Sequence, residues 1–455
     1  MNNKILYPEN VFKCPHCGSD EKQGFDFENY HCNSCGTSYF ALGDVLCLFP
    51  AGIHHKSIWE HQTGIMKNVG EQGLIAIQES LSRYDLSQTT CQRLEENFRT
   101  TETNLKTILA LLQESGVEAN IKEELSGGNP GDLNEYFDLI LRDWGWDTVA
   151  NPSLENSAAI NRVMSLINTF PAKPKRVLVL GAGAGRLSWD LHSILKPEYT
   201  VALDSNPVLL IVADQLIRQQ KTLTFGESKL FPQINLPASQ LRTLEPPADP
   251  ENLRARWFGL CTDVWQIPLN FESFDLIVTP WFIDVNGGDL RDLIGIISQS
   301  LEKDGHWLNS GPLLFTRHLP LQLKYTAAEI KEFIALSGFA LTAEKIETAG
   351  HLLSPMEVRY REEQLWTFSA AKNSLYNAPI VAGVSEAWLV MHHLPIPKAD
   401  YSSKDEHPLI DLILSLVDGS RSINDICSKI LVHIPEGIDV RDVVVTLFGQ
   451  ITAEK

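Results

Sequence analysis

The segment Lys175–Arg186, which reads KRVLVLGAGAGR, constrains the fold more than any other part of the chain. A short apolar run between a charged residue and a glycine is typical of a strand that is buried on both faces of a parallel sheet. Gly181, Gly183 and Gly185 follow this run, and glycine lets the backbone turn tightly and approach a ligand closely. The helix expected next would offer free backbone N–H groups to that ligand. We therefore predict a strand–turn–helix unit of an α/β fold that binds a nucleotide-like molecule.

A second predicted strand, Tyr199–Asp204, ends in an acid. Asp204 lies about 20 residues beyond the glycines, where a carboxylate can accept hydrogen bonds from ribose hydroxyls. A nicotinamide fingerprint would have its third glycine where this chain has Arg186. The GxGxG pattern instead resembles that of class I S-adenosylmethionine (SAM) methyltransferases, and an acid after the next strand would lie beside the adenine. The alternative is that the glycines only allow close strand–helix packing. The predicted cofactor-binding residues in this part of the chain are Gly181, Gly183, Gly185, Arg186, Asp204, Asp263 and Val264.

Four of the eight cysteines form two CxxC pairs, Cys14/Cys17 and Cys32/Cys35, which are separated by fourteen residues. Each pair can supply two thiolates from one tight turn, and a glycine follows each pair. Four thiolates complete a tetrahedral zinc shell and leave no open position, so we expect a structural zinc ion. The alternative is a redox dithiol, which needs a single pair on a thioredoxin-like unit. Residues 11–50 resemble the zinc ribbons of small methyltransferase activator subunits.

Composition excludes several other classes of protein. The chain has 38 Lys and Arg against 57 Asp and Glu, a net charge of −19, which argues against nucleic acid as the main partner. Hydrophobic residues at 44% and charged residues at 21% indicate a globular protein rather than a disordered one. No run approaches the roughly 18 apolar residues of a membrane span, and the N-terminus lacks an apolar signal segment. We therefore expect a cytoplasmic protein that does not bind membranes.

A chain of 455 residues is long enough for about three domains at roughly 150 residues each. Residues 97–115 have apolar side chains at helical spacing, which predicts helices in the middle segment. The last segment, with two predicted helices around an Asp-Gly turn, resembles a winged-helix module or the PqqD-like peptide-binding domains. A helical lid or an oligomer contact is the alternative there. The predicted units are a zinc ribbon (1–52), a helical segment (53–130), a methyltransferase domain (131–375) and a small C-terminal α+β module (376–455).

Several segments in order resemble the carnosine N-methyltransferase family, and together they cover about residues 133–372. They are Arg142-Asp-Trp144, the VLVLGAGAGRLSWDL run, an insertion from Phe231 to Pro250, Trp281-Phe-Ile-Asp284, Leu308–Phe315, and Ser354-Pro-Met356 with the nearby Tyr360. The resemblance implies an α/β fold with a class I (Rossmann-like) methyltransferase sheet. It also implies methyl transfer to an imidazole nitrogen of histidine.

The resemblance also assigns site residues. It implies that Arg142 contacts the cofactor carboxylate, that Asp284 hydrogen-bonds the substrate imidazole and that Tyr360 lines the same pocket. The family has a histidine where this chain has Thr316, and His318 two residues later is a candidate substrate contact. The alternatives are that Arg142 pairs with a neighbouring acid and that Asp284 only caps a loop.

The sequence thus predicts a SAM-dependent N-methyltransferase that acts on an imidazole in a small molecule or in a histidine-containing peptide. Zinc is expected as a structural ion. Two alternatives stay open. The chain could methylate another nucleophile in a peptide or protein, with the C-terminal module binding the peptide, or it could be a non-catalytic scaffold that binds SAM.

Overall fold

The computed structural model describes residues 7–26, 29–50, 52–83, 85–121, 133–146, 154–229, 231–249, 251–285, 287–317, 319–373, 396, 401, 407–434 and 440–453. No helix within these ranges is long and apolar enough to cross a membrane.

The elements alternate along the chain after an N-terminal stretch of short strands. The strands are β1 (Phe25–Asp26), β2 (His31–Cys32), β3 (Phe40–Leu42), β4 (Val45–Cys47), β5 (Arg176–Leu180), β6 (Tyr199–Asp204), β7 (Leu223–Ser228), β8 (Ser239–Leu244), β9 (Trp257–Cys261), β10 (Phe274–Pro280), β11 (Leu301–Gly311), β12 (Phe339–His351) and β13 (Arg361–Lys372). The α-helices are α1 (His54–Arg83), α2 (Gln88–Glu114), α3 (Leu133–Ile140), α4 (Leu154–Ile167), α5 (Arg186–Leu195), α6 (Pro207–Ile217), α7 (Leu290–Ser300), α8 (Ala327–Leu336), α9 (Pro408–Ser415), α10 (Ile423–Ile430) and α11 (Val440–Ala453). A π-helical turn, Leu141–Gly145, follows α3.

The main sheet has nine strands in the order β12-β13-β11-β10-β5-β6-β9-β4-β3. Strands β11, β10, β5, β6 and β9 are parallel, and β13 runs antiparallel between β11 and β12. The buried apolar run in β5 and the strand that ends at Asp204 confirm the sequence predictions. Ligands of open α/β sheets bind at the carboxyl ends of the parallel strands, and the glycine turn after β5 lies at that edge.

The N-terminal ribbon is built into this sheet. Its second hairpin, β3–β4, continues the sheet at one edge because β4 pairs in parallel with β9, with Leu46 opposite Leu260. The backbone N–H of Leu48 donates to the carbonyl of Cys261 at 3.0 Å and extends the pairing beyond the strand end. The ribbon and the sheet therefore share hydrogen bonds as well as packed side chains.

The middle segment is helical, as predicted, and forms a pair of long helices, α1 and α2. Helix α2 packs on the β7–β8 hairpin. Asn104 fixes this contact because its amide nitrogen donates to the carbonyl of Gly226 at 2.9 Å and its oxygen accepts the Gly226 N–H at 2.6 Å. The side chains of Ile108, Leu111 and Leu112 are buried on one face of the helix. Helix α2 is thereby held against the β7–β8 hairpin.

The C-terminal segment has a core of its own, formed by described residues between positions 396 and 451. Its described part contains the helices α9, α10 and α11 and no strand, so the β content predicted for this module is not seen there. Helix α10 begins at a capping box in which Ser422 and Asp425 exchange hydrogen bonds with each other's backbone N–H groups. Residues 374–395, which the prediction placed largely in this module, lie outside the described residues.

Candidate functional site

A cavity of about 950 Å³ opens at the carboxyl ends of the parallel strands. Its walls come from the glycine turn, from the segments that follow β6, β9, β10 and β11, and from faces of α1, α2 and α4. The predicted site residues that line it are Arg142, Gly181, Gly183, Arg186, Asp204, Val264 and Asp284. Residues predicted from separate parts of the sequence thus meet around one cavity.

The glycine turn has the backbone conformation that glycine favours. Gly181, Gly183 and Gly185 have φ values of +72°, +57° and +86°. A Cβ at Gly181 would lie 2.5 Å from the Phe282 ring, and one at Gly185 would lie 2.8 Å from the Ala213 Cβ. A Cβ at Gly183 would make ordinary van der Waals contacts at 3.9 Å with Arg142 Nη2 and Asp143 Oδ2, so the positive φ is what favours glycine there. Gly185 is not among the described residues that line the cavity, so it shapes the turn rather than the cavity wall.

Asp204 holds the glycine turn from the end of β6. Its Oδ2 accepts the Gly183 N–H at 2.8 Å, and its Oδ1 accepts the Asn206 N–H at 2.9 Å. Burial raises the pKa of this carboxyl above its ordinary value, although these hydrogen bonds oppose the shift. Each oxygen has a second lone pair, so the carboxylate can still accept hydroxyl groups of a ligand.

Asp263 and Val264 follow β9. Val264 lines the cavity, as does the preceding Thr262, whereas Asp263 is not among the lining residues. The Asp263 Oδ1 accepts the Trp265 N–H at 3.0 Å and caps a short helical turn. Burial raises the pKa of Asp263 to about 6.

The π-helical turn carries Arg142 and Asp143, which both line the cavity. Arg142 Nε donates to Asp143 Oδ1 at 2.8 Å, so the pairing with a neighbouring acid, predicted as the alternative, coexists with a place in the cavity wall. Trp144 Nε1 donates to the Ala184 carbonyl at 2.7 Å and ties this turn to the glycine turn. Arg186 Nη1 donates to the Asp143 carbonyl at 3.0 Å. These bonds fix the turn on which Arg142 lies.

Asp284 follows β10, also lines the cavity and is 2% exposed. Its Oδ2 accepts the Leu314 N–H at 2.6 Å, while its Oδ1 is buried and has no hydrogen-bond partner among the described residues. Burial raises the pKa of Asp284 to about 6. Thr316, whose N–H donates to the Asp284 carbonyl at 3.3 Å, also has a buried side-chain oxygen without such a partner. A polar ligand group could therefore pair with two adjacent side chains here.

Sequence reasoning missed several residues around Asp284. Trp281 Nε1 donates to Glu363 Oε2 at 2.9 Å, and the Trp281 ring stacks on His351 with 5.6 Å between ring centroids. Burial lowers the pKa of His351 to about 3, so this imidazole is neutral. Trp281 belongs to a segment that the resemblance already marked. His351 and Glu363 lie on β12 and β13, and the pairing of these strands, which the local sequence does not specify, places them at the cavity.

Of the residues predicted for the substrate pocket, one is described away from it and one is not described. Tyr360 is 71% exposed and does not line the cavity formed by the described residues, contrary to the expectation. It lies just before β13, in a segment that runs along the surface. His318 lies outside the described residues.

The four cysteines of the ribbon converge on one point. All four Sγ atoms lie within 4.8 Å of one another, with Cys14–Cys35 at 3.7 Å and Cys17–Cys32 at 3.6 Å. A tetrahedral zinc ion with Zn–S bonds of about 2.3 Å requires sulfur–sulfur distances of about 3.8 Å. The glycine after each pair has a φ of +78° or +77°, and its N–H closes the turn onto the first cysteine's carbonyl at 2.8 Å. The donor set and spacing fit such an ion.

The strand order, the glycine turn after β5 and the acid at the end of β6 define a class I, Rossmann-like methyltransferase fold. The predicted fold class of the main domain is thereby confirmed.

Within this class, a family model described as carnosine N-methyltransferase matches residues 229–372. The carnosine N-methyltransferase of Mus musculus is 28% identical over 233 residues, which are 47% of this chain and 56% of that protein. That of Dictyostelium discoideum is 26% identical over 235 residues, 48% of this chain and 49% of that protein. The chain thus spans about half the length of the curated relatives that it matches, and over this region it is similar to carnosine N-methyltransferases.

Solved structures give more distant likenesses. The N-methyltransferase NodS from Bradyrhizobium japonicum WM9, in complex with S-adenosyl-L-homocysteine, aligns with a TM-score of 0.35 at 12% identity, covering 53% of this chain and 100% of that one. The YcgJ protein of Bacillus aligns with a TM-score of 0.32 at 12% identity, covering 47% of this chain and 99% of that one. The fold assignment rests on the strand order of this chain.

Proposed function

We propose that this chain is a SAM-dependent N-methyltransferase that methylates an imidazole nitrogen of a histidine-containing small molecule or peptide. The observation that carries the imidazole assignment is the buried, unpartnered Oδ1 of Asp284 at the cavity. The names of the matched relatives, which refer to carnosine, support the same substrate class. The glycine turn and Asp204 support the cofactor.

When bound, SAM supplies an electrophilic methyl group. The backbone at Gly183, the remaining lone pairs of Asp204 and the guanidinium of Arg142 are the groups that would hold it. The Asp143 carboxylate pairs with this guanidinium at 2.7 Å, and Glu155 lines the same cavity.

An imidazole needs the correct tautomer more than a strong base, because it is largely neutral at pH 7. Asp284 Oδ1 accepts the N–H of one ring nitrogen, which leaves the lone pair of the other nitrogen as the nucleophile. The carboxylate also stabilises the positive charge that the ring gains as it is methylated. Holding the two reactants side by side supplies much of the remaining acceleration.

The test is to incubate the purified full chain with SAM and a panel of histidine, carnosine, related imidazoles and histidine-containing peptides. Mass spectrometry is expected to show a gain of one methyl group, located on the imidazole by fragmentation. SAM binding without any methylated product across the panel would contradict the imidazole assignment and favour another nucleophile or a scaffold role. Absence of SAM binding by calorimetry would contradict the cofactor assignment as well.

We further propose that Cys14, Cys17, Cys32 and Cys35 hold a structural zinc ion. The sulfur distances support this, and all four protein ligands are supplied, so no coordination position is left for a substrate. Metal analysis of freshly purified protein is expected to give one zinc per chain. A Cys17→Ser, Cys35→Ser double variant should lose it, and a metal-free wild-type protein would contradict the proposal.

A further inference from the structure

One face of α1 forms part of the cavity wall, although the sequence showed no chemistry in this segment. Trp59, Gln62, Thr63 and Met66 all line the cavity. Their spacing of three, four and seven residues places them on one side of a helix. The face lies outside the region that the family model matches.

The start of α1 is joined to the second cysteine pair. The Ile53 N–H donates to the Ser38 carbonyl at 2.8 Å, and Ser38 comes shortly after Cys35. The Cys32 N–H donates to the Thr37 carbonyl at 2.9 Å, which places Thr37 and Ser38 on the metal-binding turn itself. A Cβ at Gly52, which has a φ of +56°, would lie 2.4 Å from the Ser38 oxygen. The backbone approach is therefore so close that only glycine fits.

The ribbon also packs directly against the cavity wall. The Trp59 ring meets the Phe40 ring edge-to-face at 5.7 Å and the Phe49 ring at 5.3 Å. Both phenylalanines are buried and belong to the segment after the second cysteine pair, and Trp59 itself is 4% exposed. A shift of this segment must therefore move the first cavity-lining residue of α1.

Cys14 and Cys32 are buried in a core that they share with the sheet, whereas Cys17 and Cys35 are exposed and the strand pairing around the turns is short. Strands β1 and β2 have two residues each, so the hairpin between the two pairs contributes few hydrogen bonds. In small sites of this kind the free energy of metal binding is the free energy of local folding. Without the ion, four converging thiols would no longer fix the turn that carries Thr37 and Ser38.

We propose that the four-cysteine metal site positions the α1 face formed by Trp59, Gln62, Thr63 and Met66, and thereby sets the affinity of the cavity for SAM. The inference rests on the proposed function, since it requires that SAM binds in this cavity. The metal acts through Ser38 and Gly52 on the wall and touches neither reactant. Its loss weakens cofactor binding while the main sheet stays folded.

The first experiment titrates SAM into the full chain by calorimetry in three states: zinc-loaded, stripped with a chelator, and reloaded with zinc. The dissociation constant is expected to rise at least tenfold on stripping and to recover on reloading, with the far-UV circular dichroism largely unchanged. Equal affinity in the stripped and loaded states would overturn the inference. A zinc-loaded chain that does not bind SAM at all would instead overturn the proposed function, on which the inference depends.

A matched pair of variants separates the effect of the Gly52–Ser38 contact from the effect of the metal ion. Gly52→Ala breaks the approach to Ser38 and leaves all four ligands in place, so we expect full zinc content and an affinity for SAM at least tenfold weaker. Gly73→Ala is the control, because Gly73 lies in α1, the helix that Gly52 precedes, and an added Cβ there meets nothing within 4 Å. It should bind SAM as the wild type does. Wild-type affinity in Gly52→Ala, or an equal loss in Gly73→Ala, would refute the proposed link.

Discussion

Two buried carboxylates at the same edge of the sheet use their oxygens differently. Both oxygens of Asp204 accept backbone N–H groups, so this residue is largely satisfied by the protein. Asp284 has one satisfied oxygen and one buried oxygen without a partner among the described residues. Leaving such a group unpaired costs about 1–3 kcal/mol or more when it is charged. An arrangement of this kind is typical of a side chain whose partner is a ligand.

We expect Asp284→Asn to lower kcat for imidazole methylation by roughly a hundredfold or more. The amide retains one acceptor oxygen but no longer has the negative charge that stabilises the methylated ring. The affinity for SAM should stay within about twofold, and initial rates at saturating SAM measure the effect. Asp85→Asn, an exposed position on the loop between α1 and α2, is the matched control. A variant at Asp284 with near wild-type kcat would rule out this assignment.

The raised pKa of Asp284 gives the reaction a pH dependence. Burial raises that pKa to about 6, so the carboxyl is protonated below pH 6 and accepts the ring N–H only above it. After correction for the fraction of substrate imidazole that is neutral, kcat/KM should therefore rise with pH through about 6 and level off near 7, since kcat/KM reports groups of the free enzyme. Asp284→Asn should lack this limb. The same acidic limb in both proteins would assign it to another group.

At the scale of elements, structure with local signals could be predicted and structure that depends on distant partners could not. The apolar runs correctly marked β5 and β6, and the capping box of Thr326 and Glu329 at the start of α8 is a signal of the same local kind. The pairing of Leu46 with Leu260 joins residues far apart in sequence, and its register depends on side chains from several other elements. The periodicity of α1 indicates a buried face. It does not specify which cavity that face lines, because the cavity is formed by side chains from several other elements.

The contact between the β3–β4 turn and α6 contains a buried acid with a testable effect on stability. Burial, with a contribution from Asp44 in that turn, raises the pKa of Asp214 to about 7, and Arg218 opposes the shift. The folded state therefore binds this proton more tightly than the unfolded chain, whose Asp pKa is about 3.9, so stability from this group falls as pH rises from about 4 through 7. Asp214→Asn should raise Tm at pH 8 and flatten the Tm profile between pH 5 and 8.

Differential scanning calorimetry at pH 5, 6, 7 and 8 would measure this difference. Asp85→Asn serves again as the control, because an exposed carboxylate should leave the profile unchanged. An Asp214→Asn protein that is less stable than the wild type at pH 8 would mean that the ion pair with Arg218 at 3.7 Å outweighs the cost of burial.

At the scale of the whole molecule, the cores do not follow the predicted domain boundaries at 52 and 130. One core contains Phe40 of the ribbon, Ile108 of α2 and Val177 of the sheet. A second core joins Cys32 of the ribbon to Leu178 on the other face of the same strand. The ribbon therefore contributes to the cores on both faces of the sheet. Among the described residues, the core of the C-terminal segment contains no residue of the ribbon or of the main sheet.

This arrangement predicts opposite outcomes for two truncations. A chain that ends at Asn373 keeps both shared cores and every described residue that lines the cavity, so it should bind SAM within about threefold of the full chain. A chain that begins at His54 loses β3 and β4, which uncovers the edge of β9 and the Trp59 ring. Unpaired strand edges and exposed apolar surface favour association, so this protein should aggregate or lose cooperative unfolding.

Size-exclusion chromatography, thermal unfolding and SAM titration would compare the two truncated proteins. A tenfold loss of SAM affinity in the C-terminal truncation would place that segment at the cavity, and a soluble, cooperatively folded N-terminal truncation would show that the ribbon is dispensable for the sheet.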